Sequence, residues 1–188
     1  MKRSGHRIRA VVGVTALAVA VVGLGAGVAW GHVLVQPHSL RKGATDVVFG
    51  FSAPNESSTG ASVTALEVDF PTDHPLLSVM PQTVAGWTAT VVSSKLAKPI
   101  TTDDGTITEA VSKITWTATA GGVVPGQFGL FSVLAGQLPS DTSKLVIKAI
   151  QSYSDGTQVA WIETTVKGAP EPEHPAPVLN LTGKAPKG

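Results

Sequence analysis

The chain has 188 residues, no cysteine, a formal net charge of +1 and 43% hydrophobic residues. Without cysteine there is no disulfide staple and no thiol to carry a lipid, so stability rests on a packed core. With the charge near zero and Lys and Arg unclustered beyond the amino terminus, the sequence offers no footprint for nucleic acid or an anionic lipid surface.

At the amino end Lys2, Arg3, Arg7 and Arg9 precede an uncharged apolar run from Ala10 to Val28, the pattern of a secretory signal peptide. The run approaches the roughly 20 apolar residues that span a bilayer. Its Gly and Ala richness and its exit through Ala29-Trp30-Gly31, with small residues where signal peptidase needs them, favour removal instead. Cleavage is expected before His32, which gives a protein exported to the cell envelope or beyond. The segment carries away four basic and no acidic residues, so the remainder has a mild acidic excess.

From His32 onward the hydrophobic period is two. Short runs rich in Val, Ile, Thr and aromatics are punctuated by Gly, Pro, Asn and Asp, which is strand and turn chemistry. The pattern predicts strands at 33–36, 45–53, 62–70, 87–94, 109–118, 126–134, 144–153 and 157–166. Turn signals stand between them, such as Pro54-Asn55, Asp104-Gly105 and Gly121-Gly122, and Asp155-Gly156 reads as a tight hairpin. No segment has an amphipathic helical stripe. The expectation is an all-β, immunoglobulin-like β-sandwich of about eight strands, forming one domain over 32–168. Beyond it lies a Pro-rich segment, 169–188, too dense in proline to join a central strand, although 178–181 could add a short edge strand.

The chemistry centres on His32. A histidine at a free amino terminus offers an α-amine and an imidazole Nδ1 that close a chelate ring on one metal, and this nitrogen-rich planar donor set suits Cu(II) best. Both nitrogens deprotonate near neutral pH. Zinc is disfavoured, because a structural zinc site wants four His or Cys side chains at recognisable spacings. His38 reads as a solvated loop residue and His74 as a turn residue. His174, in the Pro-rich segment, is open to two readings, solvated or folded back over the site.

Seven stretches, in order, carry a resemblance. They are H-V-L-V-Q-P at 32–37, A-P-N-E at 53–56, A-G-W at 85–87, I-T-E-A-V-S-K-I-T-W at 107–116, G-G-V-V-P-G-Q-F at 121–128, Y-S-D-G-T-Q-V-A-W-I-E at 153–163 and E-H-P-A-P-V-L at 173–179. Together they resemble the YcnI-like family of exported copper-binding domains. The resemblance implies a sandwich outside the cytoplasmic membrane that binds one Cu(II) through a brace of an amino-terminal His, a carboxylate and a Trp. Carried over, these are His32, Glu56 and Trp161, with Glu109 and Glu163 as rival carboxylates. The family often has Arg or Glu before the Trp, where this chain has Ala160.

Trp87 and Trp116 read as core aromatics. Trp161 shares a strand face with Glu163, which points to a place near a surface site. The function expected is non-catalytic copper acquisition or trafficking, with transfer to a membrane copper importer or another cuproprotein. The alternatives are a copper-dependent oxidative enzyme and a metal-free structural sandwich. No nucleophile elbow, metalloprotease helix motif or phosphate loop is present in the sequence.

Overall fold

The computed structural model describes residues 31–102 and 105–184. The expected signal peptide, 1–30, lies outside the described residues. The described chain is built from twelve strands: β1 (Leu34–Gln36), β2 (Ser39–Arg41), β3 (Thr45–Pro54), β4 (Val63–Asp69), β5 (Leu77–Pro81), β6 (Trp87–Thr102), β7 (Gly105–Ala118), β8 (Phe128–Gln137), β9 (Lys144–Val146), β10 (Lys148–Tyr153), β11 (Gln158–Trp161) and β12 (Val178–Thr182). Among the described residues no helix is long and apolar enough to cross a membrane.

One sheet has the order β1-β3-β8-β5 and the other β11-β10-β4-β7-β6, while β2, β12 and β9 form a small third sheet. The inward positions follow from alternation along each strand. In β3 these are Phe49, Phe51 and Ala53, in β4 Leu66 and Val68, in β7 Ile114 and Trp116, and in β8 Phe131, Val133 and Ala135, all buried. Aromatic rings cross the interior, with Trp116 and Phe131 centroids 5.6 Å apart and Trp87 and Phe131 4.8 Å apart. Trp116 is fully enclosed and Trp87 packs against the core from its rim, as expected of core aromatics.

The all-β sandwich agrees with the periodicity, and the differences from the expected strands have local causes. β6 and β7 run on past the predicted ends into a long hairpin, because Thr and Ile beyond Lys98 continue the ladder from Ile100↔Ile107 to Thr102↔Gly105. The predicted strand 144–153 divides at Ile147, where the chain leaves β12 and joins β4. The predicted strand 157–166 stops at Trp161, and Glu163 instead makes a bridge to Pro175. Strand β12 is central rather than an edge, flanked by β2 and β9, and it buries Leu179 and Leu181.

Candidate functional site

Strand β1 pairs with β3 through Leu34↔Ser52 and Val35↔Phe51. Continuing that register two residues upstream sets His32 beside Pro54, where β3 ends and the loop bearing Glu56 begins. The loop is held by a buried hub. The Asn55 side chain donates from Nδ2 to the carbonyls of Ala61 and Val123, each at 2.8 Å, and accepts from the Ser57 amide at 2.9 Å. Val123 is fixed by reciprocal main-chain bonds with Val63 at 2.9 Å, made possible by Gly122, whose φ of +73° and close approach to the Val63 carbonyl exclude a side chain. The A-P-N-E and G-G-V-V stretches are thus two halves of one clamp, and Glu56 stands exposed at its tip.

On the other sheet, β10 places Ala149 and Gln151 toward the interior, continuing the buried alternation of Leu145 in β9 and Ile147 between the two strands. Gln151 is fully buried. Its Oε1 accepts a 2.6 Å hydrogen bond from Trp161 Nε1, and its Nε2 donates to the Pro54 carbonyl at 2.9 Å. The hairpin joining β10 to β11 is closed at Asp155, which accepts bonds from both the amide and the hydroxyl of Thr157 and from Thr59 of the Glu56 loop. Partial burial, with the negative charges of Asp155 and Glu56 nearby, raises the Tyr153 hydroxyl above its usual range.

His32, Glu56 and Trp161 are brought together. The His32 and Trp161 ring centroids lie 5.3 Å apart in an edge-on arrangement. A methyl group built on Gly31 would stand 2.9 Å from Glu56 Oε2 and 4.0 Å from Trp161 Cη2, so the main chain entering His32 runs directly against that carboxylate. Trp161 is not the surface residue that its shared face with Glu163 suggested: it is 6% exposed and belongs to the core cluster. Strand β11 ends there, and the indole serves as both core filling and the inner wall of the site.

The rival carboxylates go elsewhere. Glu109 pairs with Lys95 on the long hairpin; the row of partners that starts at Trp161 crosses β7 three strands away at Ile114, and Glu109 lies five residues further along, roughly 17 Å at the usual strand rise. Glu163 lies beside the site, but its Oε2 accepts the His174 amide at 2.6 Å. His174 folds back, its ring centroid 5.1 Å from that of Trp161. His38 is exposed, and His74 pairs with Asp141 at 3.1 Å. Two members of the site escaped the sequence reading, Gln151 and Glu171. A polar residue in the inward register of β10 was a legible signal for the first; Glu171 had none. Among the described residues, no three His, Cys, Asp or Glu side chains are grouped so as to hold a metal ion.

These features define an immunoglobulin-like sandwich with a histidine, a carboxylate and an indole gathered at one end. Residues 32–181 match the family described as a domain of unknown function, DUF1775, and the chain belongs to that family, which is that of the YcnI-like proteins. A crystal structure of an uncharacterized Nocardia farcinica protein with an immunoglobulin-like fold is 38% identical at a TM-score of 0.63, over 81% of this chain and 99% of that one. The sixth cohesin of scaffoldin B from Acetivibrio cellulolyticus, solved with a dockerin, is 12% identical at a TM-score of 0.42, over 80% of this chain and 98% of that one. None of the curated proteins matches.

Proposed function

We propose that this is an exported copper-binding protein that holds one Cu(II) at His32 and Glu56 beside Trp161, in copper acquisition or trafficking rather than catalysis. The observation that carries the reading is the placement of the main chain at Gly31 against Glu56 Oε2, with the His32 ring against Trp161. Side chains alone supply too few donors, as the lack of a three-residue cluster among the described residues makes plain. Removing residues 1–31 frees the α-amine of His32 beside the carboxylate, and amine and imidazole then chelate one ion with Glu56 as the anionic partner. Cu(II) favours such nitrogen-rich tetragonal sets. The buried indole shields one side of the ion and excludes water.

A site with few side-chain ligands at the end of a sandwich releases its ion readily, which suits transfer to a membrane importer or another cuproprotein. The test is the copper spectrum of Glu56→Gln and Glu109→Gln in protein beginning at His32. The first substitution is expected to change the electron paramagnetic resonance signal and the second to leave it unaltered; the reverse pattern contradicts the assignment. The missing side-chain cluster also suits a metal-free structural sandwich, for which neither copper binding nor any dependence on residue 32 is expected.

A further inference from the structure

The segment from Ala169 to Pro177 is fastened to the domain rather than trailing from it. Glu163 makes three contacts with it: Oε2 accepts from the His174 amide at 2.6 Å, its own amide donates to the His174 carbonyl at 3.1 Å, and its carbonyl accepts from Ala176 at 2.8 Å. The His174 ring rests on Trp161, and its Nδ1 is buried with no hydrogen-bond partner among the described residues. The two rings meet at a tilt of 47°, and this aromatic contact packs the segment against the site.

Held there, the segment carries Glu171 Oε1 to 4.0 Å from His32 Nδ1. As an ion pair with an exposed glutamate this contact would be worth little. The distance has another meaning if Nδ1 holds a metal. Bonds from a first-row divalent ion to imidazole nitrogen and carboxylate oxygen run about 2.0 to 2.2 Å. In a planar arrangement, donors on one ion then stand about 2.8 Å apart when adjacent and about 4 Å apart when opposite. Glu171 stands at the outer limit of that range from His32, although His32, Glu56 and Glu171 do not yet form a metal-holding group of side chains, so ligation requires the carboxylates to close on the freed amine.

Charge and backbone point the same way. Neutral amine, neutral imidazole and one Glu56 carboxylate leave Cu(II) with uncompensated positive charge beside a His32 side chain that is only 14% exposed, and a second carboxylate removes that charge. Glu171 is flanked by Pro170 and Pro172. Pro170 has its own φ locked by its ring, and Pro172 confines Glu171 to extended conformations, so little chain entropy is lost in presenting it.

We infer that Glu171 is a second carboxylate ligand for the ion bound at His32, delivered by the proline-rich strap; this rests on the copper reading proposed above. The test compares wild-type protein beginning at His32 with Glu171→Gln and with Glu173→Gln, an exposed carboxylate of the same strap. Cu(II) affinity is measured by chelator competition and the ligand set by electron paramagnetic resonance. Glu171→Gln is expected to weaken binding about 10- to 100-fold and alter the spectrum, with Glu173→Gln matching wild type. A Glu171→Gln protein with wild-type affinity and spectrum overturns the inference and leaves the His32 and Glu56 site standing. Wild-type protein that binds no copper overturns both.

Discussion

Trp161 and Gln151 are joined inside the core by a 2.6 Å hydrogen bond from the indole Nε1 to the amide Oε1. Since Gln151 Nε2 also donates to the Pro54 carbonyl at 2.9 Å, one buried amide ties the aromatic wall of the site to the loop that presents Glu56. The two sheets thereby share a polar fastening at the end where the candidate ligands meet.

Gln151→Leu keeps the volume but leaves the Trp161 N–H and the Pro54 carbonyl unpaired. Each buried unsatisfied group costs about 1 to 3 kcal/mol. The denaturation midpoint in urea is expected to fall accordingly, and copper affinity with it, because the ring and the loop lose their common anchor. Unchanged stability would show that water or rearrangement satisfies both groups, and that Gln151 positions nothing.

Trp161 fills the core and walls the site, so its removal has two effects. Trp161→Ala is expected to destabilise the metal-free protein by about 3 to 5 kcal/mol, and Trp161→Phe by less. In both variants, quenching of tryptophan fluorescence by added Cu(II) is expected to fall sharply, as Trp87 in β6 and Trp116 in β7 lie toward the other edge of the five-stranded sheet from Trp161 in β11. Quenching as strong as in wild type would place the ion away from the indole.

The sandwich was legible in the sequence because period-two alternation survives wherever one strand face is buried, as in Phe49, Phe51 and Ala53. The end of β11 was not. Alternation places Trp161 and Glu163 on one face, but the chain leaves the sheet after Trp161 and meets Pro175 in a new bridge, so a buried ring and an exposed carboxylate follow from one pattern. The gathering of His32, Glu56 and Trp161 depends on the pairing of β1 with β3 and on the Gln151 tie, both long-range. Neither leaves a periodic trace. The strap was least legible: proline density argued for an extended segment, and nothing local indicated that Glu163 would fasten it beside Trp161.

Asn55 organises the Glu56 loop through two donated bonds and one accepted bond, all within the fold. Asn55→Ala strands the carbonyl of Ala61, while that of Val123 keeps its bond from the Val63 amide, and is expected to cost on the order of 1 to 3 kcal/mol for the group left unpaired. Proteolysis should then begin in residues 55–61, where wild type resists. An Asn55→Ala protein with wild-type midpoint and protease resistance would contradict the clamp.

The hairpin bearing Trp161 has a titratable fastening. Hydrogen bonds from the Thr157 hydroxyl and amide, with a further one from Thr59, hold the Asp155 carboxyl below its ordinary value of 3.8. A lowered folded-state value means that this contribution is present above the ordinary range and is lost as pH falls through the folded value. NMR titration should find Asp155 ionised where exposed aspartates are already protonated, with the value returning toward 3.8 in Thr157→Val. Identical titration in the two proteins would contradict the assignment.

The central claim is that the freed amine of His32 is a ligand, and copper affinity measured on two preparations differing by one residue tests it most directly. One begins at His32 and the other retains Gly31, whose main chain lies against Glu56. Circular dichroism and thermal unfolding should be the same for both, because the one residue that distinguishes them, Gly31, is not part of the buried core. The account predicts stoichiometric Cu(II) binding with a nitrogen-rich paramagnetic signal in the first protein, and binding weaker by orders of magnitude in the second. Equal affinity and identical spectra would contradict it.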